Sequence, residues 1–269
     1  MTALKITTLV DNTVIGEGLC AEHGLSLYLE LFDANGDVEH RVLFDTGQGD
    51  LFIRNARVMN IDLNLVDAVV ISHGHYDHAG GLDHFLMLNK KASVYIKESA
   101  LTPRYNGDRF TGFRHDRNLS AGRLTFVNKP LEIVPRLYVM PDIELKNELD
   151  TSFSKNDTYE DEQYLAFFDG IAITLLSGCS HRGMTNIIES ASEYFNTPIR
   201  NIVGGLHTRN ASESKMELII EKIGSKVSCS AALCHCTGID KYCSIKHRLP
   251  QIDILYNYCG NRILIDRPE

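Results

Sequence analysis

Three histidines and one aspartate fall within six residues, His73-Gly74-His75-Tyr76-Asp77-His78, just after the run Asp67–Ile71, which is apolar from Ala68 onward. The run reads as a strand and the cluster as the loop at its end. Imidazole nitrogen suits zinc, iron and nickel, and a neighbouring carboxylate suits a hard or borderline dication. In extended backbone alternate side chains share a side, so His73 and His75 point together, while Asp77 and His78 turn toward a second position. A polar surface loop with chance histidines is the bland alternative. Four potential ligands at this density favour a site for one or two divalent metal ions, zinc first, with iron, manganese and nickel also compatible. Such a cation lowers the pKa of bound water to about 7 and makes hydroxide available at neutral pH.

Other strands end in residues of the same kind. The predicted strand Arg41–Phe44 runs into Asp45-Thr46-Gly47, where Asp45 is either a site residue or a simple Asx-turn. Ile171–Leu176 runs into Ser177-Gly178-Cys179-Ser180-His181, Ile199–Val203 into Gly204-Gly205-Leu206-His207, and Val227–Leu233 into Cys234-His235-Cys236. Strand ends in α/β sheets gather along one edge, which lets ligands distant in sequence converge.

The elements that must position these residues alternate along the chain. Leu4–Val10 and Leu25–Phe32 read as strands, with Asp33-Ala34-Asn35-Gly36 a turn before Arg41–Phe44. Residues 49–60 read as a helix, as does the segment with Leu82, Phe85 and Leu86 that Asn89 closes. Val94–Ile96, Leu124–Val127 and Leu137–Met140 read as strands, and Tyr164–Phe168 pairs with Ile171–Leu176 across the Asp169-Gly170 turn. Helices follow with Ile187, Ile188, Ala191, Tyr194 and Phe195 on one face, then with Met216, Ile219, Ile220 and Ile223 after a start at Asn210. A last helix and the strands Ile252–Leu255 and Arg262–Ile265 complete the pattern.

Two stretches break it. Pro141–Glu162 is a polar excursion. Residues 103–122 hold Arg104, Arg109, Arg114 and Arg117 beside Tyr105, Phe110, Phe113 and His115. A loop of this composition suits an active-site lid that holds an anionic, planar ligand through Arg109, Arg114 and His115. A solvated loop balanced by Asp108 and Asp116 is the alternative.

The chain of 269 residues has no sequence repeat and no Gly/Ser or Pro linker, so a single domain over 1–269 is expected, with two facing sheets and helices outside both. A net charge of −8 argues against gripping extended nucleic acid through many phosphates. No apolar run approaches a membrane span, and the N-terminus lacks the pattern of a signal peptide. Seven cysteines, an odd number, fit a reducing cytoplasm. Cys229, Cys234, Cys236 and Cys243 match no usual iron–sulfur or zinc spacing.

The cluster resembles the HxHxDH motif of the metallo-β-lactamase superfamily, and Asp45-Thr46-Gly47 resembles its first motif. The likeness is closer to a branch of metal-dependent hydrolase-like proteins often labelled 7,8-dihydropterin-6-methyl-4-(β-D-ribofuranosyl)aminobenzene-5′-phosphate synthases. Its segments are Val10-Asp11-Asn12, Ala21-Glu22-His23-Gly24-Leu25-Ser26, Leu43–Gln48, Ser72–Leu82, Asp161-Glu162-Gln163, Ser177–His181, Gly204–His207 and Cys234–Gly238. The resemblance implies an αβ/βα sandwich of two facing mixed sheets. It also implies that His73 and His75 bind a first metal, that Asp77 and His78 bind a second, and that Asp45 orients a histidine from behind. His181 is expected to complete the first site and His235 the second. His207 becomes a substrate-facing acid, with ligation in place of His235 as its alternative. Cys179 lies near the position where the superfamily often has a bridging Asp.

The expected activity is hydrolysis of a small anionic metabolite, a phosphoester or phosphodiester, with Asp77 also orienting the nucleophile. Three rivals stand beside it: the pterin-ribofuranosylaminobenzene phosphate synthase (a transferase), an iron redox protein, and a non-catalytic metal-stabilised binding module. Self-association is compatible with all four.

Overall fold

Runs of Val, Ile and Leu only a few residues long, separated by Gly, Asp and Asn, set a rhythm of short strands and amphipathic helices. The computed structural model of the chain describes residues 3–154 and 157–266. Met1, Thr2, Lys155, Asn156 and 267–269, which the single-domain and polar-excursion readings include, lie outside the described residues. Contacts sort the chain into two compact units, Met1–Asn128 with Tyr258–Glu269, and Lys129–Asn257.

The first unit contains, in order, β1 (Ala3–Val10), β2 (Ser26–Phe32), β3 (Val38–Phe44), α1 (Leu51–Val58), β4 (Ala68–Val70), α2 (Tyr76–Ala79), α3 (Leu82–Leu88), β5 (Ser93–Ile96), the small hairpin β6 (Tyr105–Asn106) and β7 (Arg109–Phe110), and β8 (Leu124–Phe126). The second contains β9 (Leu131–Val134), β10 (Leu137–Met140), β11 (Tyr164–Phe168), β12 (Ile173–Ser177), α4 (Met184–Phe195), β13 (Ile199–Gly204), α5 (Glu213–Lys226), β14 (Val227–Leu233), α6 (Ile239–Arg248) and β15 (Asp253–Tyr256). The chain then returns to the first unit as β16 (Arg262–Asp266).

Each unit is built on a mixed seven-stranded sheet, ordered β16-β1-β2-β3-β4-β5-β8 in the first and β15-β14-β13-β12-β11-β10-β9 in the second. In both, one flank is antiparallel and the other parallel. β3, β4, β5 and β8 run parallel, as do β12, β13, β14 and β15. Parallel neighbours in register release their next residues at the same level, and this aligns the strand ends noted above. Phe44 faces Val70 across β3 and β4, so Asp45 and Ser72 emerge side by side. Ser177 faces Gly204 and Gly204 faces Leu233, so the segments starting at Gly178, Gly205 and Cys234 leave one sheet edge together.

Helices cover one face of each sheet. In the first unit Phe52 of α1 and Phe85 of α3 are fully buried in a cluster with Leu43, Val69 and Val94. Each such ring contributes about 1.5–3 kcal/mol relative to an exposed one. Polar residues tie the loops: Asn89 ends α3 and its amide donates to the Leu63 and Val66 carbonyls at 2.9 Å, while its Oδ1 accepts from Ala92 N. The second unit's core joins Ile187, Ile188 and Ala191 of α4 to Ile219, Ile220 and Ile223 of α5 over Ile173, Leu175 and Ile202.

Several local expectations shift. β9 falls where no strand is predicted, between Pro130 and Pro135, and pairs with β10. The 103–122 loop contains the β6–β7 hairpin, whose two-residue strands are too short to show periodicity. α5 starts after Ser212, whose Oγ accepts from Lys215 N, so Ser212 and not Asn210 is the cap.

The histidine cluster is held by a close backbone approach. A Cβ on Gly74 would meet the Ala100 carbonyl oxygen at 2.1 Å and the Ala100 carbonyl carbon at 2.9 Å. Gly74→Ala therefore has to push the turn at Glu98–Leu101 away from the cluster. A loss of about 1–3 kcal/mol of stability is expected, as for other overpacked sites, read as a lower denaturant midpoint at unchanged m-value.

Candidate metal centre

The candidate ligands of the first unit are organised around one buried carboxylate. Asp45 sits at φ 61°, in the left-handed region, immediately after β3, and has no exposed surface. Its backbone N donates to Val70 O, which continues the sheet, while its carboxylate turns onto the end of β4. Ser72 N donates to Oδ1 at 2.7 Å and Ser72 Oγ donates to Oδ2 at 2.7 Å. The same Oδ2 lies 2.7 Å from His78 Nδ1. A carboxylate with those two donors is acceptor-only, so His78 carries its proton on Nδ1 and offers Nε2 as a ligand atom. Ser72 Oγ also lies 2.9 Å from His73 Nδ1 and sets that ring, leaving its Nε2 on the other side.

The strand gives way to a helix at His75, which adopts extended backbone as the N-cap of α2. His73 and His75 therefore share a side, as the alternation predicts, and the helical turn brings Asp77 and His78 back toward them. His73 Nε2 lies 3.1 Å from His75 Nδ1, and Asp77 Oδ2 lies 4.0 Å from His78 Nε2. Two nitrogens bound to one tetrahedral cation at about 2.0–2.1 Å would be about 3.3 Å apart. The donor set, its burial and the carboxylate behind His78 thus fit a borderline divalent cation. His23 and Glu22 belong to the same neighbourhood. His23 Nε2 lies 3.1 Å from Asp77 Oδ2. Partial burial, with the nearby Asp50 and Asp77 carboxylates, raises the pKa of Glu22 even though Gln48 N donates to it.

In the second unit His181, His207 and His235 leave neighbouring parallel strands. The His181 and His207 ring centroids are 4.2 Å apart, and the Tyr159 ring stacks on His181 at 3.9 Å with an interplanar angle of 2°. Glu162 is fully buried and accepts from both His181 N and Arg182 N at 2.6 Å, which fixes the loop that carries His181. Burial pushes the Glu162 carboxyl up to about 7, against those two bonds. His235 is buried at φ 52°, and its donor atom lies within 4.8 Å of the Cys179 and Cys236 sulfurs. His207 is half-buried at φ 49°, and its N–H donates to Cys236 Sγ at 3.3 Å.

The residues expected to line a lid in the 103–122 loop divide. Arg109 is exposed, donates to Tyr76 Oη at 3.0 Å and lies over the Tyr76 ring, next to the histidine cluster. Arg114 is exposed. His115 turns toward protein instead of a ligand: Nδ1 lies 2.5 Å from Asp83 Oδ1, Nε2 lies 2.8 Å from Ser120 Oγ, and its side chain is almost wholly buried. Both ring nitrogens are engaged, so the ring anchors the loop on α3. Residue type and spacing alone assign no role to Glu162, Tyr159, Glu22 or His23. The only signal for Glu162, Glu22 and His23 is their place in the segments 21–26 and 161–163 that resemble the superfamily branch.

Residues 31–175 match the model of the metallo-beta-lactamase superfamily, and the chain belongs to that family. It is 30% identical over 249 residues to an uncharacterized protein of Methanocaldococcus jannaschii, covering 87% of this chain and 90% of the relative. It is 26% identical over 265 residues to the same organism's 7,8-dihydropterin-6-methyl-4-(beta-D-ribofuranosyl)-aminobenzene-5′-phosphate synthase, covering 87% and 88%. Among solved structures it is similar to a metal-dependent hydrolase of the beta-lactamase superfamily, at 33% identity and a TM-score of 0.81 over 97% of this chain and 98% of the other. The two mixed sheets with helices are thus the α/β fold of this superfamily. No helix among the described residues is long and apolar enough to cross a membrane.

Asp45→Asn should lower metal affinity by roughly 10–100-fold, as loss of a carboxylate behind a ligating histidine does, while far-ultraviolet circular dichroism stays native. Competition with a chromophoric chelator measures it. For Glu162 the folded pKa lies above the ordinary 4.5, so its contribution to stability is complete below about 4.5 and is lost as pH rises through about 7. Denaturant midpoints of the metal-depleted protein between pH 4.5 and 8 should fall over that window. Glu162→Gln should flatten the fall and lower stability at the acid end by about 1–3 kcal/mol, because an amide offers one acceptor oxygen where two N–H groups point.

Proposed function

We propose that the protein is a metal-dependent hydrolase acting on a small anionic metabolite, a phosphoester or phosphodiester. The observation that carries this reading is the buried Asp45–Ser72–His78–His73 chain, which presets two imidazoles as ligands. His73, His75, Asp77 and His78 are the ligands that the first unit would offer to one or two divalent ions, zinc first, and His181 and His235 those that the second unit would offer. Such an ion supplies Lewis acidity and lowers the pKa of water. Around it the chain's own groups have distinct tasks. Asp45 fixes the tautomer of His78. Glu162 and Tyr159 hold the loop and ring plane of His181. Asp77, with an oxygen close to His23, orients the attacking water and receives its proton. His207 donates a proton to the leaving oxygen. Arg109, and Arg114 beyond it, meet the substrate's negative charge. The odd count of cysteines supports a reducing cytoplasm as the compartment.

The relative described as a pterin-linked phosphate synthase favours a second reading, a condensation on the same scaffold. Both readings use an anionic substrate and differ in whether water or an amine-bearing aromatic is the acceptor.

The test is turnover by purified protein reconstituted with zinc, manganese or iron(II). Phosphomonoester, phosphodiester, lactone, thioester and β-lactam substrates form the panel, with fluorescence titration against a reduced pterin. Phosphoester hydrolysis that falls at least ~10²-fold in His78→Ala and His207→Ala, with His207→Ala retaining bound metal, is the expected result. Inactivity across the panel with every metal removes the hydrolase reading. Saturable pterin binding without hydrolysis selects the synthase.

A further inference from the structure

We infer that Cys179, His235 and Cys236 form a thiolate-bearing metal site, so that this chain binds a borderline-soft cation of the zinc or cobalt(II) class through sulfur as well as nitrogen. The three ligand atoms all lie within 4.8 Å of one another. Cys179 and His235 are buried and Cys236 is half-buried. Two thiolates and one imidazole select such a cation over magnesium or manganese.

The fold is shaped to bring these residues together. Cys179 follows β12 and Cys236 follows β14, and these strands are separated by β13. The two ends can meet only if the end of the middle strand carries no side chain. Gly205 stands there, and a Cβ on it would come 2.4 Å from Cys236 Sγ and 2.7 Å from the Gly178 carbonyl. The sulfur also has a donor aimed at it: His207 N–H points to Cys236 Sγ at 3.3 Å. A donor of this kind behind a ligand atom fixes its orientation in the site. In the protonated state Cys236 Sγ donates to Cys179 O at 3.5 Å, a contact that a cation would replace. Both His207 and His235 hold positive φ, a backbone region that L side chains rarely adopt, and such strain clusters where side chains must be aimed. Binding the cation releases the two thiol protons to solvent, leaving two thiolates, a neutral imidazole and the dication.

The inference rests on the proposed function for one donor, since His235 also belongs to the ligand set named there; the thiolates are new. The experiment separates the two. Full-length reduced protein is stripped of metal and titrated anaerobically with cobalt(II). The expected spectrum has a near-ultraviolet sulfur-to-cobalt charge-transfer band, which falls by roughly half in Cys179→Ser and in Cys236→Ser and is lost in the double variant. Visible cobalt bands without that charge-transfer band overturn this inference and leave the histidine centre standing. Absence of any cobalt uptake overturns both. Because Cys179 lies in the core and its variant can misfold, alkylation of the unaltered protein gives a second readout. Bound cobalt should slow iodoacetamide labelling of Cys236 at least tenfold relative to exposed Cys243, by peptide mass spectrometry, and equal labelling with and without cobalt overturns the inference.

Discussion

A carboxylate with no exposed surface needs partners for every lone pair, and the neighbourhood of Asp45 is arranged to meet that demand. Ser72 answers with both its amide and its hydroxyl, and His78 answers with Nδ1. An unmet acceptor there would cost about 1–3 kcal/mol, and more for an ion. The end of β3, the end of β4 and the first turn of α2 are therefore locked in one arrangement. The histidine positions follow from this lock more than from the histidines themselves.

The second unit solves the same positioning problem with register instead of charge. β12, β13 and β14 are parallel and aligned, so three loops start at one level and each carries a histidine within its first four residues. Local supports then differ. His181 has a stacked ring and a buried carboxylate under its backbone, whereas His207 and His235 rely on left-handed turns next to a cysteine sulfur. A sheet edge with several independently supported side chains can change one of them while the others keep their places.

Most of this was legible in the chain itself wherever periodicity or density of ligands was strong. The strand before His73, the hairpin across Asp169-Gly170 and the strand ends at His181, His207 and His235 stand where the pattern places them. Legibility failed where a side chain's partner lies far off in sequence. His115 has the same composition signal whether it faces a ligand or Asp83, and only the fold shows that α3 supplies the carboxylate. Glu162 works through backbone N–H groups, which leave no mark on residue type. Tyr159 stacks from a polar excursion without any period, after a left-handed turn that a tyrosine rarely adopts. β9 is hidden between two prolines that read as breaks.

The sheet of the first unit is not built from one continuous stretch. β16 pairs antiparallel with β1, from Ala3 opposite Asp266 to Thr7 opposite Arg262, and the Cys259 backbone N donates to Thr13 O nearby. During synthesis β1 waits for β16, which is made after every strand of the second unit. Until then one edge of that sheet offers a row of unpaired N–H and C=O groups, the kind of edge that recruits other strands. The second unit has no such debt, because all its strands lie between Lys129 and Asn257. The order of events on the ribosome is thereby written into the topology: the later-made unit can finish its sheet before the earlier-made one does.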